Sequence, residues 1–281
     1  MNTAEKNIAD YYNQTIDHYT IWWKLNKNKA VHFGYWDEYT KTFADALHNT
    51  NIQMAKRAHI QHKSHVLDAG CGVGGSAFYL ANEFNCSIKG VSLSEKQLAI
   101  ANSFLDTFKK KDAIQFSLQN FNHTDFISET FDVIWACESS CHASPKTDFI
   151  KEAYRLLKKG GRLVVADYFL TPKGLLDEKQ YMKNWGDLWA IEEFHSEENF
   201  INILLQSGFE LIENDNVSEH VMPSARKMYY AYLWGAIPSK LYNLFHNTSR
   251  YGKKHYQSGY FQYRSLQEKY WEYRIVVAVK K

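Results

Sequence analysis

Short apolar runs alternate along this chain with longer stretches that mix polar and apolar residues. Runs with strand character fall at 65–69 (HVLDA), 87–93 (SIKGVSL), 114–119, 131–137 (FDVIWAC) and 162–169 (RLVVADYF). Helices are expected between them, at 76–84, from 94 to about 110, and at 145–159. Local signals mark the boundaries. The Ser94 hydroxyl can accept from free amide groups at a helix start, and Gln97 stands at the capping-box position. The helix over 145–159 has lysines at its end and Gly160-Gly161 beyond to stop it. Strands separated by helices at this spacing predict a parallel, doubly wound α/β sheet. Two more strands are expected, at 209–217 after a helix at about 196–206, and at 272–280 (EYRIVVAVK).

The remaining segments read as helical. Residues 1–60 form a lead-in or cap, and 61–281 form the main domain with cap insertions at about 171–195 and 218–268. No repeat, low-complexity tract or Pro- or Ser-rich linker interrupts the chain, which predicts one compact unit with a cap. The cap segments are where composition departs from the ordinary. Aromatic residues make up 16% of the 281 residues and crowd into 11–39 and 229–273. Most such rings pack a core or a cap interface, while a few can line a pocket for an apolar or cationic ligand. The same rings would serve a homodimer interface equally well.

Charge excludes some functions. With 33 Lys and Arg against 31 Asp and Glu, the chain as a whole offers no footprint for nucleic acid or an anionic membrane surface. No apolar window is long enough for a membrane span, and the start MNTAEKNIADYYNQ is unlike a signal peptide. Four cysteines, none in a CxxC pair, point to the cytoplasm. Cysteines and histidines around 137–142 lack a metal-site spacing, so no metal is expected.

The string DAGCGVGGS at 68–76 follows a strand and opens a helix, with Gly70, Gly72 and Gly75 in the positions of a dinucleotide loop. Such a loop lets the backbone approach a pyrophosphate, and it expects a carboxylate at the end of the next strand for ribose hydroxyls. Here that strand ends Gly90-Val-Ser92-Leu-Ser94, with no carboxylate before Glu95. The acidic residue is Asp68, ahead of the loop. A carboxylate there suits a ligand that carries an ammonium group and no phosphate, as the methionyl end of S-adenosylmethionine does.

VLDAGCGVGGSAFYLA and GVSLSEKQLAIAN together resemble a class I S-adenosylmethionine-dependent methyltransferase. FDVIWACESSCHASPKTDFIKEAYRLLKKGGRLVVADYF resembles the branch that contains sterol, tocopherol and prenyl diphosphate methyltransferases and sugar O-methyltransferases of antibiotic pathways. The resemblance covers about 60–170 well, the last strand loosely, and the insertions only in character. It implies a mostly parallel, Rossmann-like sheet of seven strands whose last strand is antiparallel. It also implies S-adenosylmethionine as cofactor, with Asp68, Gly70, Cys71, Gly72 and Gly74 on its amino-acid side. Ser92, Leu93 and Gln97 fit the branch's ribose pattern, Asn120 and Phe121 its adenine position, and Ala136 lies beside them on the fourth strand. YYNQ at 11–14 and HFGYW at 32–36 resemble the branch's lead-in, so Tyr12, Tyr19 or Tyr35 would touch cofactor or acceptor.

Methyl transfer depends on alignment and exclusion of water, and acceptors differ chiefly in how a proton is handled. ESSCHAS at 138–144 follows the fourth strand and looks most like the corresponding stretch of sterol C-methyltransferases. Glu138 in an aromatic pocket could stabilise a carbocation or remove its proton, and burial would raise its pKa toward neutrality. The expected activity is C-methylation of a small lipophilic isoprenoid or other alkene. The alternative is O- or N-methylation of an aromatic or glycosylated product, with His142 as base. Tyr35, Trp36, Tyr168, Tyr229 and Trp234 are the candidate acceptor pocket. Arg250, Lys253, Lys254 and Arg264 would meet a diphosphate or its magnesium ion, or simply form a solvated basic face.

Overall fold

The computed structural model describes residues 1–245 and 249–281. Residues 246–248, inside the second expected insertion, lie outside the described residues, as do the side chains of 242–244. The strands are β1 (His65–Ala69), β2 (Ser87–Ser92), β3 (Ile114–Leu118), β4 (Phe131–Cys137), β5 (Leu157–Leu170), β6 (Phe209–Asn216) and β7 (Trp271–Lys280). They form one seven-stranded sheet in the order β3-β2-β1-β4-β5-β7-β6. β1 to β5 run parallel, while β7 slots between β5 and β6 and is antiparallel to both. This is the sheet that the resemblance implies.

Alternate residues of each central strand feed two separate cores, as the two-residue period of a strand requires. Val66, Val133, Val164 and Val277 enter one core with the helices α3 (Phe43–Ala58) and α4 (Gly75–Phe84). Leu67, Ile134, Val165 and Val276 enter the other with α6 (Lys146–Leu156) and α9 (Glu197–Gln206). α3 belongs to the expected lead-in, yet it packs on β5 and β7 and so joins the sheet's helical layer.

The rest of the lead-in crosses the sheet. α1 (Thr3–Trp22) starts with a capping box between Asn2 and Glu5 and lies on α5 (Glu95–Leu105), and α2 (Leu25–Asn28) follows it. The insertions are helical as expected, with α7 (Pro172–Leu176) and α8 (Tyr181–Trp189) in the first and α10 (Ser218–Phe245) and α11 (Ser258–Gln267) in the second. α11 packs on both α8 and α10.

Three local expectations are corrected. The helix expected to reach about 110 ends at Leu105, because Lys110 turns back to donate to the carbonyls of Ala81 (3.1 Å) and Asn82 (2.9 Å) at the end of α4. The helix over 145–159 ends at Leu156; Lys158 is already in β5, where it pairs with Asp132 of β4 at 2.7 Å. Gly160 (φ 78°) and Gly161 sit where the β4–β5 register slips, so they serve a strand irregularity and not a helix stop. Ser94 does cap α5, accepting from the Gln97 amide at 3.1 Å, but the Gln97 side chain does not return the bond. Its Oε1 accepts instead from Ser92.

The lead-in is pressed onto the glycine loop. A Cβ on Gly75 would fall 2.0 Å from the Lys29 carbonyl oxygen, which leaves room only for hydrogen. Gly75→Ala is therefore expected to lift the 24–31 segment while leaving the sheet folded. Limited trypsin digestion should then cut at Lys24, Lys27 or Lys29 faster than in the parent protein, with circular dichroism unchanged.

Candidate active site

The sheet changes winding direction between β1 and β4, and the crevice beyond the carboxyl ends of those neighbours is where open α/β sheets bind ligands. Here both strands deliver a carboxylate. Asp68 lies near the end of β1, and Glu138 follows β4 directly. The two strand ends are stitched together. The Ser139 hydroxyl donates to the Ala69 carbonyl at 2.5 Å, and Gly70 (φ 90°) passes so close that a Cβ on it would lie 2.4 Å from that of Ser139. The Gly70 and Cys71 amides both donate to the Val91 carbonyl, which fixes the loop against β2.

Asp68 is buried, and its Oδ2 has no hydrogen-bond partner. Burial alone pushes its pKa up to about 7. An unpaired buried carboxylate oxygen is costly unless something cationic or donating meets it. It lines a pocket together with Gly70, Cys71, Gly72, Ser92, Leu93 and Gln97. Gly74 (φ 86°) turns the chain into α4 from behind, its absent Cβ crowded by the rings of Phe116 and Phe78. At the end of β2, the Ser92 hydroxyl donates to Gln97 Oε1 (3.1 Å) and accepts from the Ser94 amide (3.1 Å).

Asn120 and Phe121 line the pocket's far end. Asn120 Oδ1 accepts from the Asn122 amide (2.9 Å), and its Nδ2 donates to Glu5 of α1 (2.8 Å). Tyr12 and Tyr19 of α1 close the pocket from above, as the lead-in resemblance implies. Ala136 does not reach it. Its side chain is fully buried in the core on the opposite face of β4 from Trp135, because successive strand residues point to opposite faces.

The same pocket includes Glu138 and His142, so the structure joins the expected cofactor and catalytic residues. Glu138 has a left-handed backbone (φ 49°) that turns its side chain inward. Its Oε1 accepts from the Phe33 amide (2.6 Å) and the Tyr273 hydroxyl (2.9 Å), and its Oε2 from the Tyr168 hydroxyl. Burial raises its pKa to about 8, against the pull of these three donors. Rings enclose it. Tyr168 meets Phe33, Trp185, Trp271 and Tyr273 edge-on, with centroids 4.8–5.8 Å apart.

His142 is less suited to accept a proton. Burial and the nearby Lys146 push its pKa down to about 3. Its Nε2 is 2.9 Å from the Tyr12 hydroxyl, and Nδ1 faces the Ala190 carbonyl without closing a hydrogen bond. Behind it, Asp167 accepts from the Ser140 hydroxyl (2.6 Å) and the Cys141 amide (2.8 Å), while buried Lys146 donates to the carbonyls of Cys141 and Ala143. Asp167, Lys146, Phe33 and Tyr273 were not singled out from sequence. For Tyr273 a signal exists: it faces Tyr168 across the β5–β7 ladder, on the same side as Ile275 and Val277.

None of the five expected acceptor-pocket aromatics lines this pocket. Only Tyr168 touches Glu138. Tyr35 stacks on His220 at 4.1 Å, and Trp36 donates to Ser224 of α10 at 2.9 Å, so both fasten the lead-in to the cap. Tyr229 is spent on Tyr232, Tyr260 and Tyr263 between α10 and α11. Trp234 is 80% exposed. None of Arg250, Lys253, Lys254 and Arg264 lines the pocket, and Arg264 pairs with Glu268 at 3.1 Å. Among the described residues, no group of His, Cys, Asp and Glu could hold a metal.

Comparison with known proteins agrees with this geometry. Residues 67–165 match the family model of a methyltransferase domain. Methyltransferase GfsG of Streptomyces halstedii is 29% identical over 78% of each chain. Sterol 24-C-methyltransferase ERG6 of Saccharomyces cerevisiae is 32% identical over 61% of this chain, which spans 45% of that protein. Among solved structures, mycolic acid cyclopropane synthase CmaA1, complexed with S-adenosylhomocysteine and CTAB, superposes with a TM-score of 0.85 at 14% identity, covering 100% of this chain and 99% of that one. The residues fit S-adenosylmethionine. Asp68 Oδ2 awaits a donor that an α-ammonium group supplies, Ser92 and Gln97 offer polar groups to a ribose, and Phe121 offers a ring face to an adenine.

A ligand ammonium beside Asp68 favours the carboxylate, so the group must give up its proton when the ligand arrives below pH 7. Calorimetry with S-adenosylhomocysteine at pH 6, in buffers of low and high ionisation enthalpy, is expected to show proton release from Asp68. Asp68→Asn should abolish the release and weaken binding by about tenfold to a hundredfold, the worth of one charge-assisted hydrogen bond.

Proposed function

We propose that this S-adenosylmethionine-dependent methyltransferase acts on a small lipophilic acceptor, an isoprenoid or other alkene, and adds the methyl group to carbon. The observation that carries the reading is the Glu138 carboxylate, buried among aromatic rings on a wall of the pocket that also holds Asp68 and the glycine loop. The 32% identity to a sterol C-methyltransferase supports it. Four free cysteines, three of them buried, support a reducing compartment, the cytoplasm.

The chemistry divides between cofactor and protein. Bound S-adenosylmethionine supplies a methyl group carried on positively charged sulfur. Asp68, the glycine loop, Ser92 and Gln97 hold and orient it, while α1 covers the pocket and excludes water. An alkene carbon pair that gains a methyl group bears positive charge on its other carbon until a neighbouring C–H bond breaks and its electrons form the new double bond. Tyr12, Tyr19 and Trp189, the rings that line the pocket beside Glu138, suit that positive charge. Glu138 accepts the proton. Tyr168, Tyr273 and the Phe33 amide hold the carboxylate in place between turnovers. A pKa near 8 makes Glu138 a competent base at neutral pH, whereas His142, near 3, is a weak one. The first half of the lead-in, from Asn2 to His32, and Trp189 of the first insertion act together as the lid over this pocket.

The direct test is a panel of isoprenoid alkenes and phenols incubated with methyl-labelled S-adenosylmethionine. New carbon–methyl bonds on the alkenes are expected; methyl ethers of the phenols as the sole products would refute the reading. Glu138→Gln should lower kcat by about a hundredfold or more. In the parent enzyme kcat/KM should rise with pH and level off above about 8, and the variant should lose that limb. Stability runs the other way. The folded state holds the Glu138 proton between its unfolded pKa near 4.5 and about 8, so this group's contribution falls as pH rises across that window. Urea titrations from pH 5 to 8 should show a smaller decline in Glu138→Gln than in the parent.

A further inference from the structure

The near-zero balance of the whole chain conceals a local asymmetry. Residues 220–267 contain seven Lys and Arg and no Asp or Glu, which leaves 26 Lys and Arg against 31 Asp and Glu elsewhere. This basic stretch includes almost all of α10, the helix that turns an apolar stripe to solvent. Tyr230, Trp234, Ile237, Leu241 and Phe245 recur at three- and four-residue steps and so share one helix face. Trp234 is 80%, Ile237 70% and Phe245 81% exposed. Ile21 and Trp22 at the end of α1 extend the patch, with Trp22 lying against Gly235. Contiguous exposed apolar surface of this kind marks an interaction site.

We propose that this face, α10 with the end of α1, docks on the surface of an anionic lipid bilayer. Aromatic and aliphatic residues along one side of a helix, with Lys and Arg beside them and no carboxylate between 220 and 267, are what an interfacial helix needs; Asp17 of α1 is the carboxylate that lines the adjoining cleft. The rings and aliphatic chains enter the boundary between headgroups and acyl chains, and the cations meet lipid phosphates. No helix among the described residues is long and apolar enough to cross a membrane, so the contact lies on the surface. Charge also decides between occupants. Pairing with a second copy through this face would bring two such basic segments together, whereas an anionic bilayer complements them. Beside the stripe, Trp22, Tyr230, Lys227 and Trp234 line a cleft of about 1150 Å³, whose inner end is formed by His255 and Trp189. Trp189 also lines the pocket of Asp68 and Glu138. Trp189 thus stands between the docked face and the active-site pocket, and a turn of its ring would open a route by which a lipophilic acceptor can leave a membrane without crossing water. Docking stands on the surface itself and does not depend on the alkene reading; only the delivery route does.

The test is co-sedimentation of the full chain with vesicles of phosphatidylcholine, alone or with phosphatidylglycerol, together with light scattering of the protein alone. Binding to the anionic vesicles and little to the neutral ones is expected. Lys240→Glu should lower partitioning on the order of tenfold. The double variant Ile237→Ser, Leu241→Ser should do so by a similar factor or more, with circular dichroism and S-adenosylhomocysteine affinity unchanged. The proposal fails if anionic vesicles leave the protein in solution, or if binding ignores these substitutions. It fails equally if light scattering shows a dimer that the double variant dissociates. Because the readout is binding without turnover, it stands or falls separately from the carbon-methylation panel.

Discussion

Two buried carboxylates at adjacent strand ends set the terms for the rest of this molecule. Burying a carboxylate costs several kcal/mol unless donors compensate it. The fold answers that demand at one site and leaves it open at the other. Glu138 receives three donors from three distant parts of the chain: Phe33 in the lead-in, Tyr168 in β5 and Tyr273 in β7. Asp68 Oδ2 receives none from the protein. The satisfied carboxylate ties the lead-in and the last strand to the sheet. The unsatisfied one lines the pocket with an unpaired oxygen that an ammonium group would fit.

This division accounts for the path of the lead-in. To bring the Phe33 amide to Glu138, the segment after α2 must cross the carboxyl ends of β1 and β4. It does so in contact with the glycine loop, where the Lys29 carbonyl occupies the space left by the missing side chain of Gly75. Glycine there serves close approach of the chain's own backbone. Of the loop glycines that line the pocket, Gly72 has the most open side, its absent Cβ having only Gln97 and Val31 nearby, at 3.8 and 3.9 Å. One motif therefore divides its glycines between turning, internal packing and ligand approach, a division that spacing alone does not encode.

How much was legible in the sequence follows from where each determinant resides. The alternation of strands and helices follows from local patterns, while the family resemblance of DAGCGVGGS, GVSLSEKQ and FDVIWACESSCHAS brought Asp68, Ser92, Gln97 and Glu138 together. Element ends were less legible. Lys110 and Lys158 decide them through partners in α4 and β4, which no local signal reveals. The acceptor side was least legible because it is made of rings drawn from four segments, and aromatic composition is the same for a cage, a helix interface or a surface. Tyr168 went to the first, Tyr229 to the second and Trp234 to the third. Total charge hides a local pattern for a related reason. A sum of +2 erases the separation of a basic cap from an acidic remainder.

The two carboxylates also place cofactor binding and base strength in one electrostatic system. In the free protein, burial keeps Asp68 near 7 and Glu138 near 8, and Asp167, close enough to act on Glu138, pushes the latter further up. A cation entering the pocket acts in the opposite direction on both groups, because nearby positive charge favours the carboxylate form. Asp68, with its free oxygen, responds first. Glu138, on the wall of the same pocket, then finds its charged form cheaper while still held by its three donors. A ligand that is positively charged at both its ammonium and its sulfur thereby does more than fill the site: it favours the charged form of Glu138, the base of the proposed reaction. A product of the same shape that keeps the ammonium but carries neutral sulfur lets the pKa of Glu138 climb again, which on the proposed reading favours keeping the proton it accepts. The order of events is then set by charge, without movement of Glu138 from the ring of donors that the fold has built around it.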